Sequence, residues 1–253
     1  MKIDMTGRVA LITGGSSGIG KAAALAFAAA GARVAIASRD QQRGEAALKE
    51  ILSAGGEAIW IQADVSKAQE VESMVSQVVE KFGRLDYAFN NGGSGGRGGP
   101  LAMIAEQDWD CTIDGFLKSV WLCMKYEIIQ MLQQGGGAIV NNSSVDGQRA
   151  FTPDPVYSAA KHGVLGLTKS GAVQYAQHGI RINAVCPGWI KTPPVEDWLQ
   201  HEPNAEGMML SHQPIGRFGR SEEVGQTVLW LCSDAASLIT GTAVAVDGGY
   251  LAV

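Results

Sequence analysis

The sequence predicts an α/β protein, built as a single-domain, doubly wound parallel sheet with helices on both faces. Two observations predict this fold. Short apolar, β-branched runs alternate with longer segments of helical periodicity along the chain. A glycine-rich turn directly follows the first of these runs and opens the first helix. At 253 residues the chain is long enough for one such unit, and no composition break divides it, so 1–253 is expected to be one domain.

The individual elements follow from the periodicity of apolar residues. The predicted strands are 9–13, 33–37, 58–62, 85–89, 138–142, 180–185 and 243–246. The predicted helices are 19–30, 42–53, 68–82, 107–133, 155–178 and 221–232. The stretch 189–220 has no regular pattern, and a long irregular stretch in a compact domain is typical of a lid or binding loop.

Composition excludes several classes of protein. Glycine supplies 33 residues but without a period of three, and proline supplies only 8, which excludes collagen. A hydrophobic content of 46% with a net charge of −5 excludes global disorder and leaves no basic surface for nucleic acid. No apolar run suggests a membrane span or a signal peptide. Four scattered cysteines are typical of reduced thiols, so a cytoplasmic location is expected, and no histidine or cysteine spacing indicates a metal site.

The glycine-rich turn Thr13-Gly14-Gly15-Ser16-Ser17-Gly18-Ile19-Gly20 predicts a Rossmann-like dinucleotide site. Glycines allow the backbone to turn tightly and approach a pyrophosphate, while the helix N-terminus offers free N–H groups. The residues expected to contact the cofactor here are Gly14, Ser16, Ser17, Gly18, Ile19 and Gly20.

The end of the second strand indicates which cofactor is bound. A carboxylate there would accept hydrogen bonds from an adenosine ribose and repel a 2′-phosphate, but this chain has Ser38 and Arg39, with Arg43 one helical turn on. Because guanidinium groups pair with phosphate, this pattern favours NADP over NAD. The alternative is that Arg39 is a solvated charge and that either cofactor is accepted.

Three polar residues form the predicted catalytic group. Tyr157 and Lys161 are four apart on a predicted helix and therefore share a face. An ammonium group beside a phenol is expected to lower its pKa and suit it to acid–base work. Ser144 follows the fifth strand, where a hydroxyl can reach the same crevice.

The ordered motifs resemble the classical short-chain dehydrogenase/reductase family along essentially the whole chain. They are the Thr13–Gly20 turn, Asp64-Val65, Asn90-Asn91-Gly92, Ser144, Tyr157-x-x-x-Lys161, Pro187-Gly188 with Thr192, and Asp247-Gly248-Gly249. The resemblance implies reversible hydride transfer between a nicotinamide cofactor and a carbonyl or alcohol. Tyr157 would then exchange a proton with the substrate oxygen, Ser144 would hydrogen-bond that oxygen, and Lys161 would hold the nicotinamide ribose.

The same resemblance implies further cofactor contacts and an assembly. The additional cofactor-binding residues are Asp64, Val65, Asn91, Gly92, Pro187, Gly188, Ile190 and Thr192. Family tetramers use the two long helices and the C-terminal end, so a homotetramer is expected.

Two departures from the family stand out. In the family, an asparagine at the position of Phe116 holds a water that links the lysine to solvent as a proton relay. A phenylalanine cannot hold this water. The segment 92–99 contains six glycines, more than the family motif requires, and is interpreted either as a mobile loop or as a functional lid.

The predicted substrate is a hydrophobic or aromatic ketone or secondary alcohol. The expected lid, about 189–220, is rich in apolar side chains that suit such a compound. The predicted pocket residues are Phe116, Phe151, Trp189, Trp198 and Met208. The leading function is thus an NADP-dependent carbonyl reductase or alcohol dehydrogenase. An NAD-dependent secondary alcohol dehydrogenase and a weakly catalytic NADP-binding scaffold are the alternatives.

Overall fold

Seven parallel strands form the central sheet in the part of the chain that the computed structural model describes, residues 3–150, 153–202 and 204–253. The strands are β1 (Val9–Thr13), β2 (Arg33–Ser38), β3 (Glu57–Gln62), β4 (Tyr87–Asn90), β5 (Gly137–Asn142), β6 (Ile180–Pro187) and β9 (Ala243–Val246). The order is β3-β2-β1-β4-β5-β6-β9, and every neighbouring pair is parallel. Two short strands, β7 (Ile190–Lys191) and β8 (Gly219–Arg220), pair separately.

Helices cover both faces of this sheet, as predicted. One face packs against α1 (Gly18–Ala29), α2 (Gln41–Ser53) and α9 (Ser221–Cys232). The other packs against α3 (Ala68–Phe82), α5 (Ser119–Gln134) and α6 (Pro155–Tyr175), with α4 (Glu106–Ile113) leading into α5. Strands covered on both sides need apolar residues at every position, which explains why β1 is buried throughout.

The path of the chain creates a crevice between β1 and β4. The chain runs outwards from β1 to β3 and then returns to β4 on the other side of β1. At this switch point the Thr13 hydroxyl oxygen accepts the N–H groups of Asn91 at 3.0 Å and Gly92 at 2.9 Å. Ligands of open α/β sheets bind at such a point, beyond the carboxyl ends of the strands.

Two sequence predictions of local structure need correction. The helix predicted over 107–133 is interrupted by a π-helical turn, Asp114–Lys118. The stretch 189–220 is not irregular, because it contains α7 (Pro193–His201), α8 (Ala205–Leu210), β7 and β8. Its elements are too short to show periodicity. Proline at the first helical position of α7 was the signal available.

The buried Gln213 links the two ends of this segment to each other. Its side-chain oxygen accepts the Trp189 N–H at 2.8 Å, and its amide donates to the Arg217 carbonyl at 2.6 Å. Both ends of the segment are thereby fixed to one side chain.

No helix within the described ranges is long and apolar enough to cross a bilayer. Across the same residues, no group of three or more His, Cys, Asp or Glu side chains is arranged to hold a metal ion.

Glu127 on α5 is a buried carboxyl group in the core beneath the crevice. Its Oε2 accepts the Asn90 side-chain amide at 2.9 Å, while Oε1 has no hydrogen-bond partner among the described residues. Burial raises the pKa of Glu127 to about 8, so the folded protein keeps the carboxyl protonated at neutral pH.

Replacing Glu127 by glutamine is expected to stabilise the protein more at pH 8 than at pH 5. Between its ordinary pKa and about 8, Glu127 is ionised in the unfolded chain but protonated in the folded one. Wild-type stability therefore falls with rising pH in this window, by up to about 1.4 kcal/mol per pH unit, and glutamine removes the loss. Denaturant unfolding of wild type, Glu127→Gln and the exposed control Glu80→Gln measures this. If Glu127→Gln changes the free energy of unfolding by the same amount at pH 5 and at pH 8, the prediction is wrong.

Candidate active site

A groove of about 480 Å³ lies at the carboxyl ends of β1, β2 and β4. Its lining includes the predicted cofactor residues Gly14, Ser16, Ser17, Ser38, Arg39, Asp64, Val65 and Gly92. The close approach of backbone segments here requires glycine. Gly14 has φ +64°, and a Cβ atom on it would lie 2.7 Å from the Asn91 amide nitrogen. A Cβ on Gly20 would overlap the Gly14 carbonyl oxygen, so Gly20 serves helix–turn packing.

The end of β2 carries a mixture of charges. Arg39 is exposed in the groove, whereas the Arg43 Nε pairs with Asp40 Oδ2 at 3.0 Å. Asp40 also accepts the Arg43 N–H and so caps α2, a role that the sequence analysis missed. Burial alone would raise the pKa of Asp64, but hydrogen bonds from Ser66 and the charges of Arg39 and Lys67 hold it below its ordinary value.

The predicted catalytic residues adjoin a second cavity of about 500 Å³ next to this groove. Ser144 follows β5, and Tyr157 lies in the first turn of α6; both line the cavity. Asp154 fixes that turn, since its carboxylate accepts the Tyr157 N–H at 3.0 Å. The buried Lys161 Nζ donates to the Asn142 carbonyl at 2.7 Å and lies 5.4 Å from the Tyr157 ring centroid.

The expected lowering of the Tyr157 pKa does not occur in this arrangement of side chains. Burial raises the pKa of Tyr157, and the nearby carboxylates of Asp146 and Asp154 add to the rise. A hydrogen bond between Ser144 and Tyr157 opposes this rise. Burial also lowers the pKa of Lys161 to about 8, so desolvation opposes the charged form of both groups.

Phe116 and the glycine-rich segment 92–99 form one packed unit. The Phe116 ring meets the Tyr157 ring edge to face at 5.0 Å between centroids, and Lys161 Nζ lies 5.0 Å from the Phe116 centroid. Cβ atoms on Gly93 or Gly95 would come within 2.6 and 2.8 Å of this ring. A Cβ on Gly115 would overlap the Ser94 carbonyl oxygen. The glycines therefore make room for the ring and for the turn that carries it.

The second cavity brings together most of the other predicted residues. Its lining includes Ile19, Phe116, Pro187, Gly188, Trp189, Ile190, Thr192 and Trp198. Asn91 lies beside it and accepts the Asn142 amide at 3.0 Å. Gly18 packs under Thr192, because a Cβ atom added at Gly18 would lie 3.3 Å from the threonine methyl group. The Trp189 and Trp198 rings also contact each other, at 5.8 Å between centroids.

One pocket prediction was wrong, and one lies outside the described residues. Met208 is 62% exposed and is not part of the cavity wall, because α8 turns its neighbour Met209 inwards instead. Phe151 falls at a position that the structure does not describe.

Sequence reasoning missed several polar residues of the cavity wall, among them Asp146, Asp154 and Tyr250. Asp146 is only two residues from Ser144, which was a usable signal. Its Oδ2 lies 3.1 Å from the Ser144 hydroxyl. Tyr250 reaches the cavity from the C-terminal end, and no local pattern indicates this.

The doubly wound sheet, the glycine-lined groove and the adjoining Ser–Tyr–Lys cluster define an oxidoreductase of the dinucleotide-binding class. The chain belongs to the short-chain dehydrogenase/reductase family. A family model described as enoyl-(acyl carrier protein) reductase matches residues 14–251. A 2,5-dichloro-2,5-cyclohexadiene-1,4-diol dehydrogenase of Sphingobium indicum is 39% identical over 251 residues, covering 99% of each chain.

Solved structures agree with this assignment. The structure of a levodione reductase superimposes with a TM-score of 0.94 at 38% identity, covering 98% of this chain and 99% of that one. The structure of a variant of the actinorhodin polyketide ketoreductase, solved with NADPH, superimposes with a TM-score of 0.92 at 36% identity. The match covers 96% of this chain and 97% of that one.

Replacing Phe116 by asparagine is expected to raise turnover several-fold. Asparagine restores the amide that, in the family, holds a water between the lysine and solvent, and it removes the ring from Lys161. Steady-state turnover and its pH profile measure this, with Phe116→Leu as a control that removes the ring without adding an amide. An unchanged turnover and pH profile, or an equal rise in the leucine variant, would refute the relay argument.

Proposed function

We propose that the protein transfers hydride reversibly between NADP(H) and a hydrophobic or aromatic ketone or secondary alcohol. The observation that carries this proposal is the meeting of Ser144, Tyr157 and Lys161 at the junction between the dinucleotide groove and an aromatic-lined cavity. The groove fits a dinucleotide because the glycine turn leads there directly into the N-terminus of α1, and the tight turn has no room for a Cβ at Gly14 or Gly20. When bound, the cofactor supplies or accepts the hydride.

The three side chains then have distinct roles. Tyr157 gives a proton to the substrate oxygen during reduction and takes it back during oxidation. Ser144 donates a hydrogen bond to that oxygen and stabilises its developing charge. Lys161 holds the nicotinamide ribose, and its ammonium group favours the phenolate of Tyr157.

The remaining predicted residues would bind the cofactor along the groove. The turn residues Gly14, Ser16 and Ser17 face the pyrophosphate, and Asp64 and Val65 flank the adenine. Asn91 and Gly92 line the cleft, while Ile190 and Thr192 contact the carboxamide from the cavity side. The preference for NADP rests on Arg39, which forms no ion pair with any described residue and is open to a 2′-phosphate.

The aromatic wall supports an apolar cyclic substrate. Phe116, Trp189 and Trp198 present ring faces and edges to the cavity, next to the polar cluster around Ser144. The Sphingobium relative is named for a cyclohexadiene diol, a compound of this kind. We propose that the segment 189–220 acts as the lid over this substrate. Gln213 holds the two ends of the segment together at its base.

Specific observations favour each alternative. The ion pair between Arg43 and Asp40 neutralises one of the two cations near the ribose, which supports an NAD-dependent secondary alcohol dehydrogenase. The packing of Phe116 on both Tyr157 and Lys161 supports a weakly catalytic NADP-binding scaffold.

We also propose a cytoplasmic homotetramer, without a nucleic-acid or membrane partner. An apolar groove between α5 and α6 is lined by Ile113, Leu117, Trp121 and Leu167, and 47% of Trp121 is exposed. A face of this kind is typical of subunit contacts. All four cysteines are free thiols, in keeping with a reducing compartment.

A panel of apolar cyclic and aromatic ketones, assayed by NADPH consumption, tests the function. Wild type is expected to reduce members of the panel, and Tyr157→Phe should lower turnover by at least about 100-fold, because the proton donor is lost. Tyr175→Phe, at the far end of α6, is the matched control and should keep its activity. NADPH binding without reduction of any ketone would favour the scaffold.

Replacing Arg39 by aspartate is expected to invert the cofactor preference. The carboxylate repels a 2′-phosphate and accepts hydrogen bonds from the ribose hydroxyls of NAD. Initial rates with NADPH and NADH measure the ratio, with the exposed Lys49→Asp as a control for charge reversal. A ratio that is unchanged by Arg39→Asp would show that Arg39 does not read the 2′-phosphate.

A further inference from the structure

Besides its hydrogen bond with Tyr157, the Ser144 hydroxyl makes two hydrogen bonds with one residue, Asp146. Its Oγ accepts the backbone N–H of Asp146 at 3.1 Å, and its O–H donates to Asp146 Oδ2 at 3.1 Å. Asp146 lies in the short turn after Ser144 and is only 8% exposed. Its Oδ1 is buried and has no hydrogen-bond partner among the described residues.

We propose that Asp146 is a positioning residue that controls where the Ser144 hydroxyl proton points, and that ketone reduction is faster when Asp146 is protonated. This inference rests on the proposed function, in which Ser144 donates to the substrate oxygen.

The Ser144 hydroxyl group has a single proton and can donate to one partner at a time. An ionised Asp146 is only an acceptor, so the Ser144 proton turns towards Oδ2 in a charge-assisted hydrogen bond. Ser144 then presents a lone pair to the cavity, and a ketone oxygen receives a hydrogen bond from Tyr157 but none from Ser144. A protonated Asp146 reverses this arrangement. Its O–H donates to Oγ, its N–H fills the second lone pair, and the Ser144 proton is free to donate to the substrate oxygen.

The surroundings of Asp146 hold its pKa above that of an ordinary aspartate. Burial raises the pKa of Asp146, and the neighbouring Asp154 adds to the rise. The hydrogen bond from Ser144 and the charges of Arg149 and Lys161 oppose it. The Arg149 guanidinium lies 4.7 Å from the Tyr250 ring centroid. Burial raises the pKa of the Tyr157 and Tyr250 phenols, and the negative charge of Asp146 raises both further.

The first test compares the pH dependence of ketone reduction in wild type and Asp146→Asn. The asparagine amide can donate permanently to Oγ, as the protonated carboxyl does. The ratio of variant to wild-type kcat/KM is therefore expected to rise with pH as Asp146 ionises, and to level off at about 100-fold, the lower end of the effect typical of one oxyanion donor. Asp110→Asn, an exposed residue of α4, makes the same charge change away from the site and should give a flat ratio.

The second test does not depend on activity. The side-chain carboxyl carbon of Asp146 can be assigned by its absence in Asp146→Asn and titrated by carbon-13 NMR. Its midpoint should lie above that of an ordinary aspartate, and Ser144→Ala should move it further up, because the donor to the carboxylate is lost.

The outcomes separate this inference from the proposed function. An active wild type with a kcat/KM ratio that does not change with pH overturns the inference alone. An Asp146 midpoint that is unchanged by Ser144→Ala also overturns it, because the hydrogen bond it requires is then absent. A wild type that reduces no ketone overturns the proposed function and this inference together.

Discussion

The structure depends on the close contact between the end of β1 and the loop that leaves β4. Thr13 holds the backbone of Asn91 and Gly92 against the first turn, and the glycine turn lets α1 start directly beneath them. This contact sets the depth of the dinucleotide groove. It also aligns Asn91 with Asn142, whose carbonyl fixes Lys161, so the geometry of the second cavity follows from the first.

Desolvation dominates the electrostatics of the molecule. Glu127, Asp146, Tyr157 and Lys161 lie in or beneath the same crevice, and burial moves the pKa of each towards its neutral form. A sheet covered on both faces leaves little water for these groups. Their charges are therefore controlled by neighbouring dipoles and by whatever enters the groove, rather than by bulk solvent.

The sequence was sufficient to predict the sheet, the helices on both faces and the residues that line the groove. These features follow from periodicity and from glycine spacing, which are local signals. The π-helical turn at Asp114–Lys118 has no such local signal, and its Gly115 packs closely against Ser94, which is distant in sequence. The same limit applies to Tyr250, which only the tertiary fold brings to the cavity, and to Met208, whose direction depends on a six-residue helix. The raised pKa of Tyr157 depends on burial and on two aspartates, which a Tyr–Lys spacing cannot reveal.

The packing of Phe116 against glycine restricts which combinations of residues fit at this site. A phenyl ring at 116 overlaps with Cβ atoms at 93 and 95, whereas glycines at those positions are compatible with a smaller residue at 116. Side chains at 93 and 95 therefore fit beside Phe116 only if the ring shifts, so the residues at these three positions are expected to be compatible only in particular combinations. The glycine content of the loop is thus coupled to the size of the residue at 116.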